Sequence, residues 1–271
     1  MASFKIGVRG HDFSQNTPAE LFSTIAKNGF HSVQLAPKKS FNLSDISQLD
    51  VHEAKHALLV NDVEISVYGC YVEIAMLDER IRKKALDEYL KAMPIAKALN
   101  SGCIACETTD FTLQPFADRT QAFDVLCKSL ESILKIAEDI DLIACIEPVF
   151  THTINTPQMT KKLLDTMSSK KLGIIFDPVN LLSNCTIQQQ NSLWDNCINS
   201  FGEYIKAVHI KGTRVDANGN LTECSLIDSQ VNYAYIFEKL KQLNGEIPVL
   251  REGIDQNQTK EDKAFINKFI L

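Results

Sequence analysis

The sequence contains no apolar run that approaches the roughly 18 uninterrupted residues of a membrane span. Its first residues, MASFKIGVRGHDF, include no apolar segment of signal-peptide length. Linkers rich in proline, glycine and serine are also absent, as are low-complexity tracts and blocks of like charge. We therefore expect a cytoplasmic protein without a membrane partner, organised as one domain over residues 1–271.

The chain also lacks an excess of positive charge. The chain has 28 Lys and Arg against 34 Asp and Glu, which gives a formal net charge of −6. Such a balance offers nothing that attracts nucleic acid or anionic lipid. Small molecules are therefore the expected partners, and the sequence does not say whether the chain forms a homodimer or a homotetramer.

The eight cysteines show no arrangement that is typical of a metal or redox site. Most lie in apolar runs, where a free cysteine behaves as a small hydrophobe, and a cytosolic chain keeps them reduced. Cys103 and Cys106 form a C-x-x-C, but it lies inside the strand-like SGCIACET and has no second pair. We interpret the C-x-x-C as core packing; the other six cysteines stand at positions 70, 127, 145, 185, 197 and 224.

Short apolar runs alternate with longer segments of helical period. Eight runs have the character of strands: FKIGVR (4–9), HSVQLA (31–36), VEISVYG (63–69), GCIACE (102–107), LIACIE (142–147), LGIIFD (172–177), IKAVHIK (205–211) and IPVLRE (247–252). Most are continuously apolar, as expected of parallel strands that are covered on both faces.

Helical segments lie between these runs, and two of them carry clear start signals. Thr17, Pro18 and Glu20 form a capping box with proline at the first helical position, and Thr156-Pro157 opens another helix in the same way. The 3.6-residue period predicts further helices over 78–99, 118–139, 229–243 and 258–270. Pro94 is expected to kink the first of these.

Strands that alternate with helices imply parallel βαβ units. A closed (β/α)8 barrel and an open doubly wound sheet both fit this pattern. VRGHDFSQN follows the first strand where a G-x-G-x-x-G would stand, which disfavours the dinucleotide-binding form of the open sheet. Eight units in 271 residues favour a single (β/α)8 TIM barrel of the α/β class.

Four successive strands of this barrel end in polar residues that can bind a metal ion. These residues are Glu147, Asp177, His209 and Glu252. The carboxyl ends of barrel strands meet at one face, and neighbouring strands lie about 4.8 Å apart. Carboxylates and one imidazole suit Mn²⁺, Mg²⁺, Co²⁺ or an open zinc site, and the lack of a thiolate argues against a closed structural zinc site.

Each of the four residues also has an ordinary interpretation. Asp177 before Pro178 could cap a helix or form a turn, Glu147 could begin a turn, and His209 could be a core histidine. Arg251-Glu252 could be a surface ion pair. Without a metal site, four unrelated explanations would have to apply on four consecutive strands, so we favour the metal site.

The segments IEPVFTHTINTP, LGIIFDPVNLL, VHIKGTR and VLREGI resemble the xylose isomerase-like barrel superfamily, and within it the sugar phosphate isomerase/epimerase branch. The stretch from Tyr68 to Thr108 resembles the same branch. The resemblance implies that the four positions bind one divalent ion, most often Mn²⁺. It also implies that Glu147 and Glu252 act as acid/base groups on opposite faces of a sugar or sugar phosphate.

The implied chemistry is reasonable on physical grounds. Moving a proton between the carbons of a hydroxyketone or aldose passes through an enediolate-like state, whose charge a metal ion can stabilise. One carboxylate removes the carbon-bound proton, and another on the opposite face can return it, which gives epimerisation. Return to the neighbouring carbon gives aldose–ketose isomerisation, and the sequence does not distinguish the two.

Further polar residues follow the same strand ends. Hydrogen bonding to substrate is the hypothesis for His152 and Glu107, whereas His11 is as readily a loop or cap residue. Lys211 and Arg214 could hold a phosphate or carboxylate, or could be solvated charges.

Two positions depart from the branch that the chain resembles. Asn180 stands where many members have a substrate-contacting His, three positions after the Asp. Gly212 stands where many have an acidic residue after the H-I-K. Neither departure affects the four proposed ligands, but both bear on the identity of the substrate.

Several other functions remain open. Hydroxypyruvate isomerases and inosose dehydratases use similar residues, and a non-catalytic sugar-binding barrel is an alternative of another class. An apurinic endonuclease would need a multi-zinc cluster rich in histidine and a basic face for DNA. Six histidines and an acidic balance disfavour it.

Overall fold

Eight parallel strands close into a barrel with helices around it, so the prediction of a TIM barrel is confirmed. The computed structural model describes residues 1–13, 15–183 and 187–270, and one of the eight cysteines, Cys185, lies outside them. The barrel strands are β1 (Ser3–Arg9), β2 (Ser32–Leu35), β3 (Glu64–Gly69), β4 (Cys103–Glu107), β5 (Ala144–Glu147), β6 (Leu172–Phe176), β7 (Ile205–Ile210) and β10 (Glu246–Arg251). Between β7 and β10 lies an antiparallel hairpin of β8 (Gly212–Val215) and β9 (Leu221–Cys224).

The helices pack outside the strands. In the described part of the chain they are α1 (Pro18–Lys27), α2 (Pro37–Ser40), α3 (Val51–Asn61), α4 (Glu79–Ala98), α5 (Arg119–Asp139), α6 (Pro157–Met167), α7 (Pro178–Leu181), α8 (Gln190–Phe201), α9 (Tyr233–Leu240) and α10 (Thr259–Ile270). A 3-10 turn, Gly10–Phe13, follows β1. None of the helices described has the length and apolar character needed to cross a membrane.

Both predicted helix starts form, although of the capping box predicted at Thr17 the structure records only the bond accepted by the Thr17 side chain. Thr17 Oγ1 accepts a hydrogen bond from Glu20 N at 3.3 Å, and Thr156 Oγ1 accepts one from Met159 N at 3.1 Å. Each cap satisfies an amide that has no partner within its helix. Pro94 lies inside α4, the helix in which a kink was predicted.

Four of the described helices were not predicted from the sequence: the one-turn helices α2 and α7, and the longer helices α3 and α8. In α3 the apolar residues Leu59 and Val60 are 81% and 66% exposed, so apolar residues do not mark one face of this helix. The segment predicted as helix over 229–243 is shorter in the structure, since α9 begins only at Tyr233, after the Asn232 cap.

The strand order around the barrel is β1-β10-β7-β6-β5-β4-β3-β2. Closure comes from the pairing of β1 with β10, which runs from Ser3 opposite Glu246 to Val8 opposite Arg251. The four strands that end in the predicted metal ligands are therefore consecutive neighbours, β5, β6, β7 and β10. Their carboxyl ends lie along one arc of the rim.

The apolar core has two parts. A large cluster packs between the helices and the outer face of the barrel. A smaller cluster draws its members from six strands and fills the barrel interior: Val67, Cys103, Ala105, Cys145, Ile175, Ala207 and Leu250. All seven described cysteines are free, and five of them are buried, which agrees with their interpretation as packing residues.

Candidate active site

The interior cluster explains why the polar strand ends converge. Side chains two residues apart on a strand share a face, so the residue two positions after an interior residue also points inward. The interior residues Cys145, Ile175, Ala207 and Leu250 are each followed at that spacing by a candidate ligand. These ligands are Glu147, Asp177, His209 and Glu252, and they are 1%, 0%, 0% and 6% exposed.

The four side chains lie close together above the apolar interior. Possible ligand atoms of Glu147, Asp177 and His209 all lie within 4.8 Å of one another. Glu252 joins them through His209, whose Nδ1 lies 3.2 Å from Glu252 Oε1 and 3.3 Å from Glu147 Oε1. The structure thus brings all four predicted ligands into one cluster.

Lys211 and Asn180 complete this cluster. Lys211 Nζ lies 2.8 Å from Asp177 Oδ2 and 3.3 Å from Glu252 Oε2. It also donates to Asn180 Oδ1 at 2.7 Å, while Asn180 Nδ2 donates to Glu147 Oε1 at 2.7 Å. Asn180 therefore connects the ammonium group to the Glu147 carboxylate.

Burial and charge act against each other in the cluster. Burial alone would lower the pKa of His209, but the carboxylates of Glu147 and Glu252 outweigh it and raise this pKa to about 9. Burial raises the pKa of Glu147, and the positive charge of His209 offsets this only in part. Around Glu252 the positive charges of His209 and Lys211 outweigh burial and lower the pKa to about 2.

The residues present fit a divalent cation. Glu147 Oε2 and His209 Nε2 are buried and have no hydrogen-bond partner among the residues that the structure describes. A buried carboxylate oxygen without a partner is costly, and a metal ion would satisfy it. Three carboxylates and an imidazole form a donor set suited to Mn²⁺, Mg²⁺, Co²⁺ or Zn²⁺ with open positions.

A second polar pair lies beside the cluster, at the ends of β4 and β5. His152 Nε2 lies 3.3 Å from Glu107 Oε2, and the His152 side chain is 9% exposed against 35% for Glu107. Glu107 is the register partner of Glu147 on the next strand. The pair therefore lies within reach of a molecule bound at the cluster.

The two remaining candidates lie in different surroundings. His11 is in the 3-10 turn after β1, and its Nδ1 is buried without a partner among the described residues. Arg214 is on β8 with an exposed side chain, and within the described ranges it forms no ion pair. Among the described residues, neither His11 nor Arg214 has a side-chain hydrogen bond or ion pair that connects it to the cluster.

Three residues that the barrel brings to or beside this site were not predicted from the sequence: Arg9, Gln34 and Tyr71. Arg9 Nη1 lies 3.4 Å from Glu252 Oε2, and Asp12 holds its guanidinium at 2.8 Å. Gln34 is fully buried on β2 and donates to the hydroxyl of Tyr71. A signal was available for Gln34, since a polar residue in the middle of an otherwise apolar strand must face a polar interior or a partner.

Comparison with known proteins matches this chain to one family of barrel proteins. The family model described as xylose isomerase-like TIM barrel matches residues 22–269. No curated protein matches the chain significantly.

Several solved structures share the fold at low sequence identity. The apo form of 3-keto-D-glucoside 4-epimerase, YcjR, from E. coli has a TM-score of 0.76 and 16% identity, covering 98% of this chain and 100% of that one. The IolI protein with a bound zinc atom has a TM-score of 0.78 and 13% identity, covering 98% of each chain. A xylose isomerase-like TIM barrel protein from Mycobacterium smegmatis in complex with magnesium has a TM-score of 0.75 and 15% identity, covering 100% and 98%.

Proposed function

The chain belongs to the xylose isomerase-like TIM barrel family, and from this premise we propose that it is a divalent-metal-dependent isomerase or epimerase of a sugar or sugar phosphate. The observation that carries the proposal is the buried cluster of Glu147, Asp177, His209 and Glu252 at one end of the barrel. Similar folds include a sugar epimerase and two proteins with bound metal, which supports the assignment.

In this proposal the four residues hold one ion, with Mn²⁺ preferred and Mg²⁺, Co²⁺ or Zn²⁺ as alternatives. When bound, the ion supplies positive charge that stabilises the negative charge developing on the substrate oxygens. The chain itself supplies the geometry, because four rigid strands fix the ligands and the apolar interior below them excludes water.

Proton transfer is assigned to Glu147 and Glu252. Each carboxylate approaches His209 Nδ1, at 3.3 and 3.2 Å, so the two flank one small volume. Their pKa values are pushed apart, since that of Glu147 is raised and that of Glu252 is lowered to about 2. Glu147 is therefore the stronger base, and we assign to it the removal of the carbon-bound proton, with Glu252 serving the opposite face.

Substrate contacts are assigned to the residues around the cluster. The ammonium of Lys211, bridged to Glu147 by Asn180, would bind a substrate oxygen or phosphate. The Glu107–His152 pair would hydrogen-bond hydroxyl groups of the sugar, and His11 borders the same rim. Arg214 could reach a bound phosphate only if its exposed side chain turned towards the cluster.

The test is solvent exchange at carbon. The Mn²⁺-loaded protein is incubated in D₂O with D-fructose, D-psicose, D-tagatose and their phosphates, and deuterium incorporation is followed by NMR. Hydroxypyruvate and an inosose are included, because turnover of those compounds alone would favour the alternative enzymes. We expect exchange into at least one ketose or ketose phosphate.

Glu147→Gln should lower the exchange rate about 10²- to 10⁴-fold, the usual contribution of a general base. Its metal content should fall less, because three ligands remain. Glu131→Gln, at an exposed position on α5, is the control and should exchange at the rate of the unaltered protein. Bound metal without exchange in any compound would instead favour a sugar-binding barrel without catalysis.

A further inference from the structure

Tyr71 lies in the segment between β3 and α4, and its hydroxyl contacts Gln34 of β2. Gln34 is the register partner of Arg9, whose Nη1 lies 3.4 Å from Glu252 Oε2, so the hydroxyl lies beside the proposed active site. Burial, and then the negative charges of Glu147 and Glu252, raise the pKa of the phenol well above its usual range. The phenol therefore remains protonated at neutral pH, and it lies within electrostatic reach of both proposed proton-transfer groups. Tyr71 is not one of the polar residues at the strand ends, so the pattern of strand ends did not predict it.

Three contacts fix the position of the ring. Gln34, fully buried on β2, donates from Nε2 to the phenol oxygen. Gly69 makes room for the ring, because a Cβ there would lie 2.7 Å from Tyr71 Cε2. Lys39 Nζ lies 4.7 Å from the ring centroid, a cation–π distance.

The hydroxyl hydrogen of Tyr71 has no acceptor among the described residues. A tyrosine hydroxyl can accept a hydrogen bond and also donate one. Its oxygen accepts from Gln34, and within the described ranges no protein atom accepts the hydrogen in return. A half-buried O–H that lies within the electrostatic influence of carboxylates, and that has no acceptor among the described residues, is suited to donate to a ligand.

We propose that Tyr71 is a further catalytic residue, which donates a hydrogen bond from its hydroxyl to the substrate oxygen that gains negative charge during proton transfer, and that Gln34 positions it. This inference rests on the proposed function and deepens it. No proton leaves Tyr71 in this role. Because the bond strengthens only as charge develops, its loss should lower kcat and leave KM nearly unchanged.

The experiment compares Tyr71→Phe with Tyr68→Phe in the deuterium-exchange assay, using the ketose that the unaltered protein exchanges best. Tyr68 is the matched control because it is 1% exposed, its hydroxyl has no partner among the described residues, and Glu147 and Glu252 are not among the groups that perturb its pKa. We expect kcat to fall about 10²-fold in Tyr71→Phe, with KM within about threefold of the original. Tyr68→Phe should keep its kcat, and both variants should retain bound metal.

The outcomes separate the two proposals. An unchanged kcat in Tyr71→Phe, or an equal fall in both variants, overturns the role of Tyr71 while leaving the proposed function standing. Absence of exchange by the unaltered protein overturns both.

Gln34→Leu tests the positioning role of Gln34. If Tyr71→Phe does not fold, Gln34→Leu takes its place in the experiment. It keeps the Tyr71 hydroxyl but removes the donor that orients it, so kcat should fall while metal content stays the same. Adding Tyr71→Phe to Gln34→Leu should cause less than the additive loss, since both changes act on one interaction. Unchanged kcat in Gln34→Leu, or full additivity in the double variant, would refute the coupling.

Discussion

At the scale of single residues, Asp177 shows how one carboxylate can serve two purposes. Its Oδ1 accepts hydrogen bonds from Val179 N at 2.8 Å and Asn180 N at 3.1 Å, and so caps α7. Its Oδ2 faces Lys211 Nζ at 2.8 Å, inside the candidate active site. The cap and the site were alternatives when only the sequence was considered, and the two oxygens make them compatible.

Asn180 is expected to be needed for turnover. Asn180→Ala removes the hydrogen bond to Glu147 and the acceptor for Lys211. Hydrogen bonds to charged groups contribute about 1.5–3 kcal/mol, so the exchange rate should fall about 10- to 100-fold. Steady-state kinetics of deuterium exchange measure this fall, with Asn61→Ala on α3 as the control. An equal exchange rate in both variants would show that Asn180 is not needed for turnover.

His11 is expected to make stability depend on pH. Burial, and then the positive charge of Arg9, lower its pKa to about 4, from an ordinary value of 6.5. Between these values the unfolded chain binds a proton that the folded protein does not, so the free energy of unfolding should decrease as pH falls from 6.5 to 4. The effect should be on the order of 1 kcal/mol, because the ring is partly exposed and solvent screens it.

Urea unfolding at several pH values between 7 and 4 tests this prediction. His11→Gln should flatten the decrease, whereas His56→Gln, an exposed control on α3, should leave the curve unchanged. If His11→Gln and the unaltered protein lose stability in parallel, the half-buried imidazole of His11 is not the cause.

At the scale of elements, the hairpin of β8 and β9 is what the sequence pattern failed to indicate. Its strands are four residues each, and GTRV and LTEC have too few apolar residues to be recognised. A turn held by Asp216, which accepts from Asn218 N and Asn220 N through Oδ1, connects them. The hairpin begins one residue after Lys211, so its position affects the site.

Gly212→Ala should displace this hairpin. A Cβ at Gly212 would overlap the backbone oxygens of Cys224 and Ser225, which cannot move independently of the strand. We expect a loss of about 1–3 kcal/mol in the free energy of unfolding, together with lower exchange activity through Lys211. Gly219→Asn, in the turn of the same hairpin, meets nothing within 4 Å and should cost less, since Asn tolerates positive φ.

Chemical denaturation and the exchange assay measure both effects of Gly212→Ala. Equal stability and activity in the two glycine variants would show that the close approach at Gly212 is relieved without cost.

At the scale of the whole molecule, closure of the barrel determines where the site residues meet. β10 pairs with β1 on one side and β7 on the other, and so brings Glu252 between Arg9 and His209. Arg251 points the other way and bonds to Asp262 on α10, with Nε to Oδ2 at 2.7 Å. This buried pair holds the last helix against the closing strand.

Asp262→Ala should destabilise the protein strongly, because it leaves the Arg251 charge buried without a partner. Removing one member of a buried pair costs about 3–5 kcal/mol, which lowers Tm by roughly 6–20 °C for a chain of this size. Asp165→Ala breaks the exposed Lys161–Asp165 pair and should change Tm by less than about 2 °C. Calorimetry that found the same small change in both variants would contradict the importance of the buried pair.

The sequence by itself determined the barrel and the four residues of the central cluster. Apolar runs and capping signals define the strands and helices, and parallel strands necessarily bring their carboxyl ends to one face, so Glu147, Asp177, His209 and Glu252 could be placed together. Only the tertiary structure decided that Arg9 contacts Glu252, that Gln34 and Tyr71 lie next to Arg9, and that Asn180 bridges Glu147 and Lys211. Strand periodicity gives the direction of a side chain, whereas contacts across the barrel depend on closure and on loop paths that no local pattern encodes.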